Sequence, residues 1–194
     1  MADVRGACAI YYSYQVKDAS GRITVPFRRR MAHSFVVGFA KLLNLKMAMR
    51  EPQSITDTGG TGRTIPSIND MDTTQAASSN TFGLVVGTGT NAESINDTAL
   101  QTVIAHGTGA GQLQYGASTV ALPSSDSTST SCILTRVFTN ASGGTVTVTE
   151  IGVYTNTNDT GSTGRNICMV RDLATIALSN GDQLTLNYIL KTTS

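Results

Sequence analysis

Few side chains in this sequence have the type and spacing for proton transfer, nucleophilic attack or metal binding. His33 and His106 are the two histidines, and their separation makes no metal pair. Each reads as a structural or solvent-exposed residue, His106 within the loop edge Ile104-Ala-His-Gly-Thr-Gly109. Cys8, Cys132 and Cys168 are far apart and form no CxxC pair, so neither a disulfide framework nor a zinc site is expected. Each lies in a β-forming run, where a small buried apolar side chain is the usual role. Asn69-Asp-Met-Asp72 brings two carboxylates together, but a calcium loop starting at Asp70 needs Glu where Thr81 stands, and a solvated loop fits better. Gly87-Thr-Gly89-Thr lacks the third glycine of a dinucleotide fingerprint, and Gly107-Thr-Gly-Ala-Gly111 is equally incomplete. No nucleophile elbow and no phosphate-binding lysine motif is present. The chain therefore reads as a non-enzyme, with no cofactor and no metal expected.

The sharpest charge cluster is Arg28-Arg29-Arg30. Residues 1–50 hold nine Lys/Arg against two acids, and residues 51–194 hold five against eleven, so a net charge of +1 hides a basic first quarter and an acidic remainder. Three readings of the triplet stand side by side. It can be a solvated bend. It can bind DNA phosphates with Tyr11, Tyr12 and Tyr14 stacking on bases, although a pI near 7.7 is low for a dedicated nucleic-acid domain. It can lie on the acidic body of a neighbouring subunit, where opposite patches set register. The last reading fits the split best.

Residues 7–16 are rich in β-formers, Asp18-Ala-Ser-Gly21 reads as a type I turn, and Arg22–Phe27 reads as a second strand. This predicts a hairpin over 8–28 with Pro26 at an edge. Such a ribbon is marginal alone and needs something to lie on. Residues 33–50 read as an amphipathic helix capped by Ser34 and stopped before Pro52, with the stripe Phe35, Phe39, Leu42, Leu43 and Met47. Residues 52–80 show neither period and are expected to be a long functional loop.

From Thr81 the pattern is all-β, with strands expected over 82–87, 112–122, 131–139, 145–154, 166–178 and 183–191. Residues 99–104 fit a short helix or a strand equally. Leu184, Leu186, Tyr188 and Leu190 share one face. Val146 and Val148 share parity with Glu150, after which the apolar residues shift to Ile151 and Val153. That shift predicts a bulge near Glu150 or an inward carboxylate with a partner. The expected fold is mainly β: an antiparallel sandwich (81–194) with a basic N-terminal hairpin arm (1–30), one helix (31–51) and a long loop (52–80).

The second half resembles a type of bacteriophage virion protein found among tail and neck structural genes. The resemblance runs through Gly83–Thr90, Asn96–Leu100, Ile104–Tyr115 and Arg136–Asn140. It continues through Thr149–Tyr154, Met169–Asp172 and Gly181–Tyr188, spanning roughly 82–190. It implies a virion structural role made in a host cytoplasm and carries over no catalytic residues.

Together these point to a structural subunit of a ring or shell (tail, neck or collar). Its hairpin, helix and loop would reach onto other copies and other virion proteins. Arg28, Arg29, Arg30, Phe35, Phe39, Leu42, Leu43 and Met47 are the candidate contacts, and a chain lacking residues 1–50 is expected to fold without assembling. A glycan- or receptor-binding module at a tail tip, or a capsid decoration protein, is the alternative. The absence of Trp weighs against sugar binding, with Tyr115 and Tyr154 as the available stacking faces. A collar role for the triplet on DNA predicts affinity that falls steeply with salt. No apolar h-region and no uncharged run long enough for a membrane span occurs in the sequence.

Overall fold

A computed structural model of the protein describes residues 8–32, 35–48 and 52–193. The elements run β1 (Cys8–Lys17), β2 (Ile23–Met31), α1 (Val37–Ala48), β3 (Gln53–Thr56), β4 (Gly62–Ile65), β5 (Gly83–Gly87), β6 (Gln114–Val120), β7 (Ser124–Ser125), β8 (Ser129–Thr139), β9 (Val146–Asn158), β10 (Gly164–Leu178) and β11 (Gln183–Thr193). All strand pairs are antiparallel; they form two larger sheets packed as a sandwich, as the period-two runs predict, and one separate two-stranded sheet.

The larger sheet has the order β2-β1-β11-β8-β6, with the short β7 also on β8. The smaller has the order β10-β9-β5. Alternation puts Tyr12, Tyr14 and Val16 of β1, Leu134 and Phe138 of β8, and Leu184, Leu186 and Tyr188 of β11 into one core. Leu84, Val86, Ile151 and Val153 of the smaller sheet join them.

The β1–β2 hairpin forms as expected, and what it lies on is an edge. β1 pairs with β11 along its whole length, so the hairpin extends the main sheet in plane. It is part of the body rather than an arm standing off it. Removing residues 1–50 would strip Ile10, Tyr12, Tyr14 and Val16 from the core, so the expectation that such a chain still folds is withdrawn. Pro26 lies on the outermost strand, next to a register shift between Val25 and Arg28.

Two further expectations are corrected. Residues 52–80 are not featureless, because β3 and β4 pair as a hairpin. The helix begins at Val37 and docks through Gly38, Leu42 and Leu45, while Leu43 and Met47 are exposed. Leu42 and Leu45 form a second, smaller core with Ile55, Ile65 and Ile167. The predicted helix cap Ser34 and the predicted last helix residues 49–50 lie outside the described residues, as does His33. Residues 99–104 are neither helix nor strand; Val103 bridges to Gly87 at the end of β5.

Candidate functional site

The sheet positions one carboxylate where burial alone would oppose its charge. Glu150, on β9, is fully buried. Its two oxygens accept N–H bonds from Gly89 at 2.9 Å, Gln101 at 3.0 Å and Thr102 at 2.8 Å, and from Arg171 Nε at 3.0 Å. Burial pushes this carboxyl's pKa up, but the donors around it outweigh burial and hold it below the usual range. Gly89 is required here by space: a Cβ on it would fall 2.5 Å from Glu150 Oε1. The Gly87-Thr-Gly89 run, too short for a nucleotide fingerprint, is the strap that wraps this carboxylate.

Arg171, on β10, completes the cluster. It bonds Asp97 at 2.8 Å and the carbonyls of Asn91 and Ala92, so loop 88–102 is tied to the sheet through one ion cluster. Burial works against its charge, yet the bonds to Asp97 and Glu150 raise its pKa above the ordinary arginine value. The predicted inward carboxylate with a partner is therefore found. A register shift also occurs, on the opposite strand β10 between Leu173 and Ile176.

A second buried arginine has no carboxylate partner among the described residues. Arg136 of β8 is fully buried and donates to the carbonyls of Gly116, Phe82, Leu84, Ala76 and Ser79. Its guanidinium carbon lies 4.8 Å from the centroid of the Tyr115 ring. Burial lowers its pKa to about 10, which leaves it charged at neutral pH. One side chain thus gathers three stretches of chain: 76–79, 82–84 and residue 116. Its signal in the sequence is parity, since Arg136 sits on the face of Leu134 and Phe138 in a period-two strand. Arg171 follows Val170 directly and offers no such signal.

The structure also exposes an internal repeat. Asp-Thr-Gly-x-Thr-Gly-Arg-x-Ile occurs at 57–65 and again at 159–167. In the first copy Asp57 Oδ1 accepts from Gly59 and Thr61, and Oδ2 accepts from Arg63 Nε at 2.6 Å. In the second, Asp159 bonds Gly161, Thr163 and Arg165 in the same way. Both carboxyls are held below their usual pKa. At Asp57 this is the net result of burial opposed by Arg63 and the backbone donors, and at Asp159 Arg165 is the leading cause.

The fourth position takes a left-handed backbone in each, Gly60 at φ 80° and Ser162 at φ 58°. The two loops clasp reciprocally: Thr58 N–H donates to Asn166 O at 2.8 Å, and Thr160 N–H to Thr64 O at 2.9 Å. Ile65 and Ile167 enter the same small core.

The remaining candidates are scattered. Arg28, Arg29 and Arg30 are exposed on β2 and form no ion pair among the described residues. Phe35 stands before the helix, bridged to Val170, and its ring stacks on Phe39 with centroids 3.9 Å apart. The pair flanks the open end of the cleft between the sheets, a cavity of about 140 Å³ with apolar walls. Leu42 is buried in the small core, whereas Leu43 and Met47 are exposed. The predicted stripe is therefore split three ways.

Cys168 is buried, and burial pushes its thiol pKa up to about 12; Cys132 is part-exposed, and nothing is described of the Cys8 side chain. His106 Nδ1 accepts from Tyr115 N–H at 3.1 Å, a structural role. Asp72 pairs its backbone with Asn156, which turns the expected solvated loop into an anchor. Among the described residues no three His, Cys, Asp or Glu side chains gather as a metal site, and no helix is long and apolar enough to cross a membrane. Comparison with known protein families, curated proteins and solved structures finds no match to this chain.

Proposed function

We propose that the protein is a bacteriophage virion structural subunit that assembles into a ring or shell of the tail, neck or collar. The observation that carries this reading is where the side chains are engaged and where they are left open. Glu150, Arg171 and Arg136 are consumed in holding loops to the sandwich. The surface, by contrast, keeps an apolar cleft mouth. Ile10, Val153 and Val170 line its walls, and Phe35, Val120 and Leu190 are each more than a third exposed at its rim. An exposed apolar cleft of this kind is what subunit contacts cover. The resemblance of residues 82–190 to tail and neck proteins supports the same reading, since its motif residues include Glu150, Arg171 and Arg136.

The test is sedimentation velocity of the full chain over a range of concentrations, beside the double variant Val120→Asp/Leu190→Asp. Wild type is expected to form a discrete oligomer that the variant loses while staying folded. A wild type that stays monomeric at every concentration contradicts the proposal.

A further inference from the structure

The terminal strands of the two sheets are treated unequally. The outer side of β6 is bonded by Gln75 and Ser78, that of β5 by Thr102 and Ile104, and that of β10 by Val36 and Thr58. β2 has no such cover among the described residues, although it is nine residues long and exposed nearly throughout. Open edges are templates for strand addition, and proteins ordinarily block them. The register shift around Pro26 blunts only the first part of this one. Ala32 N–H donates inward to Ile10 O at 3.0 Å. Backbone alternation along the strand therefore turns the N–H and C=O groups of Met31 and Arg29 outward.

The side chains on this edge select the partner. Arg28 and Arg30 lie opposite Tyr14 and Tyr12, on the core side of the sheet. Arg29 lies opposite Ser13, on the other side, with its guanidinium carbon 4.8 Å from the Tyr11 ring centroid. Three successive cations on alternate faces cannot all meet one duplex DNA surface. They match an incoming strand whose own side chains alternate in the same way. A second copy is a poor source. No two acidic residues adjoin anywhere in this sequence, and pairing β2 with itself would set the arginine triplets against each other. The carboxylates of Asp57, Asp97, Glu150 and Asp159 are already engaged within the chain.

We propose that the open edge of β2 binds an acidic, extended segment of another protein as an added antiparallel strand. Consecutive carboxylates of that segment would face Arg28, Arg29 and Arg30. The inference stands whether or not the assembly reading holds, because it concerns a different surface and a different partner.

The experiment is fluorescence anisotropy of the full chain with a labelled peptide, Thr-Val-Glu-Asp-Glu-Val-Thr, blocked at both ends. Saturable binding is expected, weakened about tenfold or more when the peptide acids are replaced by lysine or when Arg28, Arg29 and Arg30 are changed together to Glu. Arg29→Pro removes an outward N–H as well as the charge, and should weaken binding about fivefold beyond Arg29→Ala. N-methylation of alternate peptide amides asks the same question without altering the protein, and should also weaken binding. The proposal is overturned if N-methylation has no effect, if the peptide does not bind, or if a short duplex DNA binds in its place with the same dependence on the triplet.

Discussion

Glu150 and Arg171 keep their charges inside the protein because each finds more partners there than burial takes away. Breaking a buried ion pair typically costs about 3–5 kcal/mol, and here the lower end applies because Arg171 keeps Asp97 as a partner. Glu150→Gln is expected to lower stability by that order in urea unfolding. The carboxyl's pKa is depressed in the folded state, so its stabilisation is complete above the unfolded value of about 4.3 and is lost as pH falls through the folded value. The variant should therefore show a flatter loss of stability in acid than wild type. Arg136→Leu leaves the carbonyls of Gly116, Phe82, Leu84, Ala76 and Ser79 without this donor. With about 1–3 kcal/mol at risk for each buried group left unsatisfied, it is expected to prevent folding or to cost more than Glu150→Gln, read from the same urea curves.

Elements made of uninterrupted β-formers are legible in the sequence alone, and those whose signal is a turn or a docking partner are not. β5, β6, β8, β9, β10 and β11 follow from runs of β-formers between turn residues, and β8 and β11, half-buried over much of their length, also write a period of two into the sequence. The helix stripe was misread for a tertiary reason. Its docking surface is partly the β3–β4 hairpin, which the small polar residues of 52–80 conceal, so the buried line runs through Gly38, Leu42 and Leu45. Leu45→Ala is accordingly expected to cost about 2–5 kcal/mol. Met47→Ala, at a position 78% exposed, should change stability by less than about 0.5 kcal/mol.

The repeated Asp-Thr-Gly loops share their pattern plainly in the sequence, but their pairing is not written there. The copies are far apart in the chain, and nothing local says that they meet. Because they clasp, Asp57→Ala and Asp159→Ala should not be additive. Each is expected to cost about 1–2 kcal/mol, and a double-mutant cycle should show a coupling of about 0.5 kcal/mol or more.

At the scale of the molecule, a charge split that read as an arm and a body becomes a difference between one open edge and a closed interior. The basic hairpin belongs to the main sheet. Much of the acidic balance beyond residue 50 is spent on turns and on the one buried hub of Glu150, Asp97 and Arg171, leaving Arg28, Arg29 and Arg30 on the one terminal strand of the sandwich that no described segment covers. The sandwich is thus closed within and open at one apolar cleft and one strand edge. The most direct measurement is native mass spectrometry of the concentrated full chain. The account predicts a closed oligomer at one integer multiple of 20.3 kDa, broken down by Val120→Asp/Leu190→Asp. A single 20.3 kDa species at every concentration, unchanged by those substitutions, would contradict it.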